Sequence, residues 1–229
     1  MAGVSPDASV TREAALRGSS RRRLGRTAVV YAEGDPPEHV FRVHDGLVKL
    51  VATGPGGVTS LVAFRGPGEW LGEHSALDGM PRSTTAIVVR DATITALDRE
   101  SFVDAVRGDA DLAQALLVSL AGHVRATTGH VLAVASSDPT ALVAQRLHAL
   151  VSDARFAAIR STEAGAVTID MPISHDELAM WAGVSRRSVE TSLQRLRVAG
   201  IVTTARMQMV VEDVAALARR ARREPGSDG

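Results

Sequence analysis

Two stretches of this 229-residue chain carry side chains whose types and spacing suit recognition chemistry. The first runs from Glu69–Trp70–Leu71–Gly72–Glu73–His74 to Pro81–Arg82–Ser83–Thr84–Thr85–Ala86. A phosphodiester needs a fixed cation with hydroxyl and amide donors. Arg82 with Ser83 can supply these, because a guanidinium pairs with phosphate oxygens. Glu73 offers an acceptor to a ribose hydroxyl, and Gly72 lets the backbone come close. Read bare, the same residues make a common Gly-Glu turn and a surface arginine. The second stretch is Met171–Val211. Ser174 and Glu177 form a capping box ahead of a short helix, with Leu178 and Trp181 inward. Gly183 supplies a turn over Val184. Ser185 caps a second helix whose buried face is Val189, Leu193 and Leu196, and Gly200 ends it. The opposite face shows Arg186, Arg187, Thr191, Gln194 and Arg195. A helix that opens with arginine suits the DNA major groove, where its first residues reach base edges and Arg bonds guanine O6 and N7 together. A solvated basic face is the bland alternative. The caps, the turn glycine, the buried spacing and a two-stranded wing over Ile201–Thr203 and Met207–Val211 agree against it.

The elements that must position these residues fall into three kinds. From Thr27 to Leu97, short apolar runs are broken by glycine, proline and aspartate, which predicts an antiparallel sandwich or barrel. Asp45–Gly46 reads as a hairpin turn between Val40–His44 and Leu47–Ala52. Beyond Arg99 the period becomes helical, with a short piece over Ser101–Val106. A long proline-free helix follows from Asp109 to about Ser136. On it Leu117, Leu120, Val124, Thr127, Val131 and Val134 recur at steps of three and four, a coiled-coil seam that favours a partner helix and hence a homodimer. Asp138–Pro139 breaks that helix. Thr140–Val151 is a further helix, Arg155–Val167 a mixed segment, and Val167–Met171 a strand. The fold class is α+β.

Composition narrows the function. Lys plus Arg and Asp plus Glu both number 26, so any DNA binding must come from a local basic face. The chain has no cysteine, which excludes disulfides, thiolate chemistry and cysteine-held metals. Aromatics are only 3%, too few for single-strand stacking platforms. No P-loop, G-x-S-x-G or H-E-x-x-H occurs, so no enzyme is expected. The histidines at 39, 44, 74, 123, 130, 148 and 175 show no metal spacing, and no metal is expected. No apolar run is of membrane-spanning length, and Met1–Arg23 lacks a secretory core, so a cytoplasmic setting without membrane contact is expected. The run Arg21–Arg22–Arg23 reads as the end of a solvated arm.

The run Gly183–Val184–Ser185–Arg186–Arg187–Ser188–Val189, with Leu193, Leu196, Gly200 and Ile201, resembles the winged helix-turn-helix of the Crp/Fnr regulators. Gly72–Glu73 with Arg82–Ser83 resembles the phosphate-binding cassette of cyclic-nucleotide-binding domains. The resemblance spans about Gly25 to Val211. It implies an arm over 1–23, a β jelly-roll over 24–107, a dimerisation helix over 108–137, a winged helix-turn-helix over 138–221 and a tail over 222–229. It implies Glu73 to ribose, Arg82 and Ser83 to cyclic phosphate, Gly72 to the pocket backbone and Thr84 as an added hydroxyl donor. Thr127–Thr128 falls where cyclic-AMP-responsive members read adenine across the dimer, although a seam threonine also suits plain packing. Ser174, His175, Ser185 and Ser188 fall at phosphate-contact positions, and Arg186, Arg187, Thr191 and Arg195 face the bases or backbone. Arg187 stands where cyclic-AMP-responsive members carry Glu. A cation cannot accept from cytosine N4, so a different operator is expected. His74 replaces an aliphatic residue, and haem is not expected. The implied function is a transcription regulator gated by a cyclic nucleotide, foremost cyclic AMP, with DNA, a second copy and RNA polymerase as partners. The alternatives are the same regulator with another effector or none, and a signalling module regulating an attached enzyme.

Overall fold

The computed structural model describes residues 20–54, 57, 59–136, 138–152, 160–161, 166–169, 174–205 and 208–222. Residues 1–19, most of the expected mixed segment, the strand end at Met171, Met207 of the wing and the tail from 223 lie outside these. So do the side chains of His130, Val131 and Val134.

The turn-punctuated half forms β1 (Ser20–Leu24), β2 (Val29–Tyr31), β3 (His39–Thr53), β4 (Thr59–Arg65), β5 (Trp70–Leu71) and β6 (Thr85–Asp98). They make one sheet in the order β1-β6-β3-β4, with β2 also on β6 and β5 on β3. Its spine is the antiparallel pair β3 and β6, in register from His39 opposite Asp98 to Val51 opposite Thr85. Two expectations are corrected here. Asp45–Gly46 is not a hairpin turn. It lies inside β3, where the register with β6 shifts between Val43 and Val48. Gly46 has φ 94°, and a Cβ there would sit 2.4 Å from the Cα of Ala92 and the carbonyl oxygen of Asp91. The glycine therefore serves a bulge at which two backbones touch, a use with the same local signature as a turn. Likewise Arg21–Arg23 is not part of an arm. It pairs with Thr93–Thr95 on the sheet edge, and its side chains remain exposed.

The sheet core is aliphatic with few rings, as the composition requires: Val43, Val48, Leu71 and Ile94 pack with Tyr31 and Phe41. A second cluster joins Val40, Ala76, Phe102 and Leu116. Phe102 is fully buried, which stabilises the fold by about 1.5–3 kcal/mol. It belongs to α2 (Arg99–Gly108), whose N-cap Asp98 accepts from the Ser101 amide at 2.8 Å. The long helix α3 (Ala110–Ser136) starts where Asp109 Oδ1 accepts from the amides of Asp111 and Leu112. Leu112 and Leu116 face the second cluster. On the same helix Leu117 and Val124 are each 66% exposed.

The described residues within 1–58 and 62–124 form one compact unit, and those within 59–61 and 125–229 form another. The second contains α4 (Pro139–Ser152), β7 (Arg160–Ser161), β8 (Val167–Ile169), α5 (His175–Ala182), α6 (Arg186–Val198), β9 (Val202–Ala205), β10 (Gln208–Val211) and α7 (Val214–Ala221). Asp138 and Pro139 begin α4. The Asp138 carbonyl accepts from Ala141 and Leu142, and proline suits a first helical position because its missing amide proton has no partner to lose. Strands pair in the order β7-β8-β10-β9. Helix α7 was not singled out in the sequence. It is capped by Asp213, buries Leu217 and Ala221, and is tied to α4 by Gln145 donating to the Ala221 carbonyl at 2.9 Å.

Candidate functional site

Gly72 closes β5 and caps α1 (Glu73–Asp78) in the left-handed conformation, φ 78°. A Cβ here would lie 2.1 Å from Arg82 Nη1, so any side chain at this position would displace the guanidinium. Arg82 Nη1 donates to the Gly72 carbonyl at 2.7 Å, and Nη2 donates to the His39 carbonyl. The guanidinium carbon stands 4.6 Å over the Tyr31 ring. The backbone is pinned too: Arg82 N donates to the Asp35 carbonyl, and Gly34 N to the Arg82 carbonyl. The result is a cation 4% exposed on a short loop, beside a Glu73 that is 6% exposed. Arg82 Nε is buried and has no hydrogen-bond partner among the described residues. Burial pulls the guanidinium below the usual arginine range, opposed by Tyr31 and Glu73. Burial pushes the Tyr31 hydroxyl up, opposed by its hydrogen bond with Thr84 and reinforced by Glu73. The arrangement thus sets a guanidinium beside a carboxylate in a buried setting, and a guanidinium is the side chain whose planar fork matches phosphate oxygens.

The second candidate site is α5, the Gly183 turn and α6. Ser174 Oγ accepts from Glu177 N at 3.1 Å while Glu177 Oε2 accepts from Ser174 N at 2.9 Å, the expected capping box. Gly183 is left-handed with φ 70°. Ser185 accepts from Ser188 N at 3.1 Å and starts α6, which buries Val189, Leu193 and Leu196. Arg186 is exposed but engaged: Nη1 donates to Asp176 Oδ2 at 3.0 Å and Nε to Glu190 Oε1 at 3.1 Å. The hydrogen bond with Glu190, then the charge of Asp176, raises its pKa further. Arg187, Thr191 and Gln194 are exposed. The wing pairs Val202–Ala205 with Gln208–Val211 in antiparallel register.

A cyclic nucleotide-binding domain family model matches residues 21–109, and a Crp-like helix-turn-helix domain model matches residues 143–220. The chain is 30% identical over 188 residues to the cyclic AMP receptor protein of Thermus thermophilus, covering 82% of each chain. It belongs to the Crp/Fnr family of transcription regulators. This Crp/Fnr chain is also 28% identical over 197 residues to the CRP-like cAMP-activated global transcriptional regulator of Mycobacterium tuberculosis, covering 86% of both. The solved structure of the c-di-GMP responsive global regulator CLP of Xanthomonas campestris shares its fold, with TM-score 0.75 and 22% identity over 90% of this chain and 99% of that one. Members of the family are DNA-binding regulators rather than enzymes. No helix among the described residues is long and apolar enough to cross a membrane.

In this Crp/Fnr chain the structure gathers Gly72, Glu73, Arg82 and Thr84 about Tyr31. Ser83 is exposed on the same loop. Thr127 and Thr128 are exposed on the part of α3 that belongs to the other unit. Ser174, His175, Ser185, Arg186, Arg187, Ser188 and Thr191 lie on α5, α6 and their caps. Arg195 is differently placed. It donates to Thr140 Oγ1 at 3.3 Å, stands 3.8 Å from Asp138 and lines a cleft of about 430 Å³ with Leu196, Ile201 and Arg220. Sequence reasoning missed Tyr31, Asp35 and His39 beneath Arg82, and Asp176 and Glu190 around Arg186. None has a motif of its own. Only the Arg186-to-Glu190 spacing of four was legible as a helical ion pair. It also read the histidines by spacing alone, whereas Glu73, His74 and His123 place one ligating atom each within 4.8 Å of one another.

Proposed function

We propose that this regulator is a homodimer gated by a cyclic nucleotide, foremost cyclic AMP. The observation that carries the reading is the buried Arg82 guanidinium, fixed beneath Gly72 with Nε unpartnered and Glu73 beside it. Glu73 takes the ribose, Arg82 and Ser83 take the cyclic phosphate, and Thr84 adds a hydroxyl. Thr127 and Thr128 read the base. The exposed Leu117 and Val124 of α3 form the dimer seam, since aliphatic side chains repeating at heptad spacing on a helix are buried by a second helix. Each α6 enters a major groove, and the two half-sites lie about 34–36 Å apart, one helical turn. Arg186 must exchange Asp176 and Glu190 for DNA, and that exchange gives it a reason to be selective about its partner. Ser174, His175, Ser185 and Ser188 take phosphates, Arg187 and Thr191 face the bases, and RNA polymerase is the partner on the promoter.

The purified protein would be titrated against pooled genomic DNA fragments at fixed salt, with and without cyclic AMP, because phosphate-driven binding varies steeply with salt. Cyclic AMP should raise retention of discrete fragments by the equivalent of about 1–3 kcal/mol. Arg82→Gln should lose that gain, and Arg186→Ala should lose the fragments altogether. Equal retention with and without nucleotide overturns the effector. The fold also serves a regulator described as responsive to cyclic di-GMP, so cyclic GMP and cyclic di-GMP are titrated alongside. Sedimentation of Leu117→Glu and Val124→Glu tests the seam, both being expected as monomers.

A further inference from the structure

We propose that Glu73, His74 and His123 form a binding site for a bare divalent transition-metal ion of the zinc class, clamping the nucleotide cassette to the long helix. His74 sits on the first turn of α1, directly after Glu73. His123 sits on α3 seven positions beyond Leu116, and therefore on the same helix face. Leu116 is buried in a cluster with Ala76 of α1, so that face of α3 is held against α1 by packing. Two turns on, the same face presents His123 to His74, with the ring centroids 5.8 Å apart and edge-on.

The donor set and its spacing suit such an ion. Glu73 Oε1 and His74 Nε2 are 3.4 Å apart. Two ligands on one tetrahedral zinc, each at about 2.1 Å, stand about 3.4 Å from each other. All three donor atoms lie within 4.8 Å of one another, so rotation of the imidazoles brings the third into range. Two imidazoles with one carboxylate select zinc-like cations over magnesium or calcium, which demand more oxygens. Glu73 is buried and fixes one side, while His74 is exposed and leaves an entry path. Three protein ligands leave a fourth position for water.

The consequence for regulation rests on the nucleotide reading above, whereas the metal site does not. Glu73 is the proposed ribose acceptor. An ion on its carboxylate withdraws those lone pairs and holds its rotamer, so metal and cyclic nucleotide oppose each other through one side chain.

The test uses the full chain, stripped with a chelator. Zinc is titrated in competition with a chromophoric chelator, and Co(II) is added separately to read ligand geometry from its visible absorption. One ion per chain is expected. His74→Ala and His123→Ala should each weaken binding by more than the about 10–100-fold that loss of an outer-shell partner costs. Circular dichroism melts of both variants should match the parent closely, since His74 is exposed and His123 is half-buried. Zinc should raise the apparent Kd for cyclic AMP in the parent and leave it unchanged in His123→Ala. No zinc binding, or binding that survives both substitutions, overturns the site. One ion per chain, lost in both variants but indifferent to cyclic AMP, upholds the site and removes the antagonism. If cyclic AMP fails to bind with or without zinc, the effector reading falls while the metal result stands by itself.

Discussion

Replacing Gly72 by alanine separates two demands that one residue meets. The left-handed backbone at φ 78° costs an L-residue about 1–2 kcal/mol, part of which is returned through a less flexible unfolded chain. The new Cβ would also stand 2.1 Å from Arg82 Nη1 and 2.7 Å from Cζ. The guanidinium is the free end of a side chain and can swing away, so the clash itself is relieved. What is lost is the bond from Nη1 to the Gly72 carbonyl, a charge-assisted hydrogen bond contributing about 1.5–3 kcal/mol. Gly34→Ala is the matched control. Its φ is 87°, and an added Cβ there meets nothing within 4 Å. Gly72→Ala should therefore exceed Gly34→Ala by about 1.5–3 kcal/mol. In a unit of this size that separates the two melting temperatures by roughly 6–20 °C. Thermal unfolding is followed by Trp70 fluorescence in a Trp181→Phe background, so that only the β-unit reports. Cyclic-nucleotide affinity should fall at least about tenfold in Gly72→Ala, because the cation has moved. Equal destabilisation by the two substitutions would refute the close-approach argument and leave Gly72 as an ordinary positive-φ position.

Gly46→Ala should be more severe, by about 4 kcal/mol or more, because its Cβ meets backbone at 2.4 Å rather than a movable side chain, and insoluble or unfolded protein is the expected readout. Ser174→Ala removes one half of the capping box and should cost the C-terminal unit about 0.5–2 kcal/mol in denaturant unfolding. The Ser101 amide that donates to Asp98 holds that carboxyl below its usual pKa. Its stabilisation is present above about pH 3.9 and lost as pH falls through the depressed folded value, so Asp98→Ala should approach the parent in acid. Burial, with Arg21 and Arg42 nearby, holds His44 below its usual pKa. Only the unfolded chain then takes the proton just below about pH 6.5, so stability should drop as pH falls through that value, and His44→Gln should flatten the drop.

The C-terminal site was legible because its logic is local. Capping boxes, a turn glycine and apolar residues three and four apart act within ten residues, and the helices form where those signals lie. The cassette was legible as a motif but not as a mechanism. Nothing near Arg82 in the chain says that it turns inward onto the Gly72 and His39 carbonyls and over the Tyr31 ring. The same limit misplaced Asp45–Gly46. Two residues that tolerate positive φ predict a turn, yet here Gly46 alone takes it, inside a bulge, and only the facing strand distinguishes the two uses. Arg21–Arg23 looked like a solvated run because charge dominates a short window, whereas strand pairing is decided by the backbone of β6.

The sequence by itself determined the long helix, the break at Pro139 between it and α4, the paired helices of the C-terminal site, and which of those carries an exposed basic face. Those outcomes follow from torsional preference, capping and amphipathic period, all short-range in the chain. Tertiary structure alone decided which polar side chains meet. Asp176 is brought to Arg186 from the preceding helix, Arg195 is drawn back to Asp138, and His123 is carried to Glu73 and His74. Such pairings depend on where a packed helix face lands against a distant loop. That register is fixed by the cooperative filling of the core, which no residue's immediate neighbours encode.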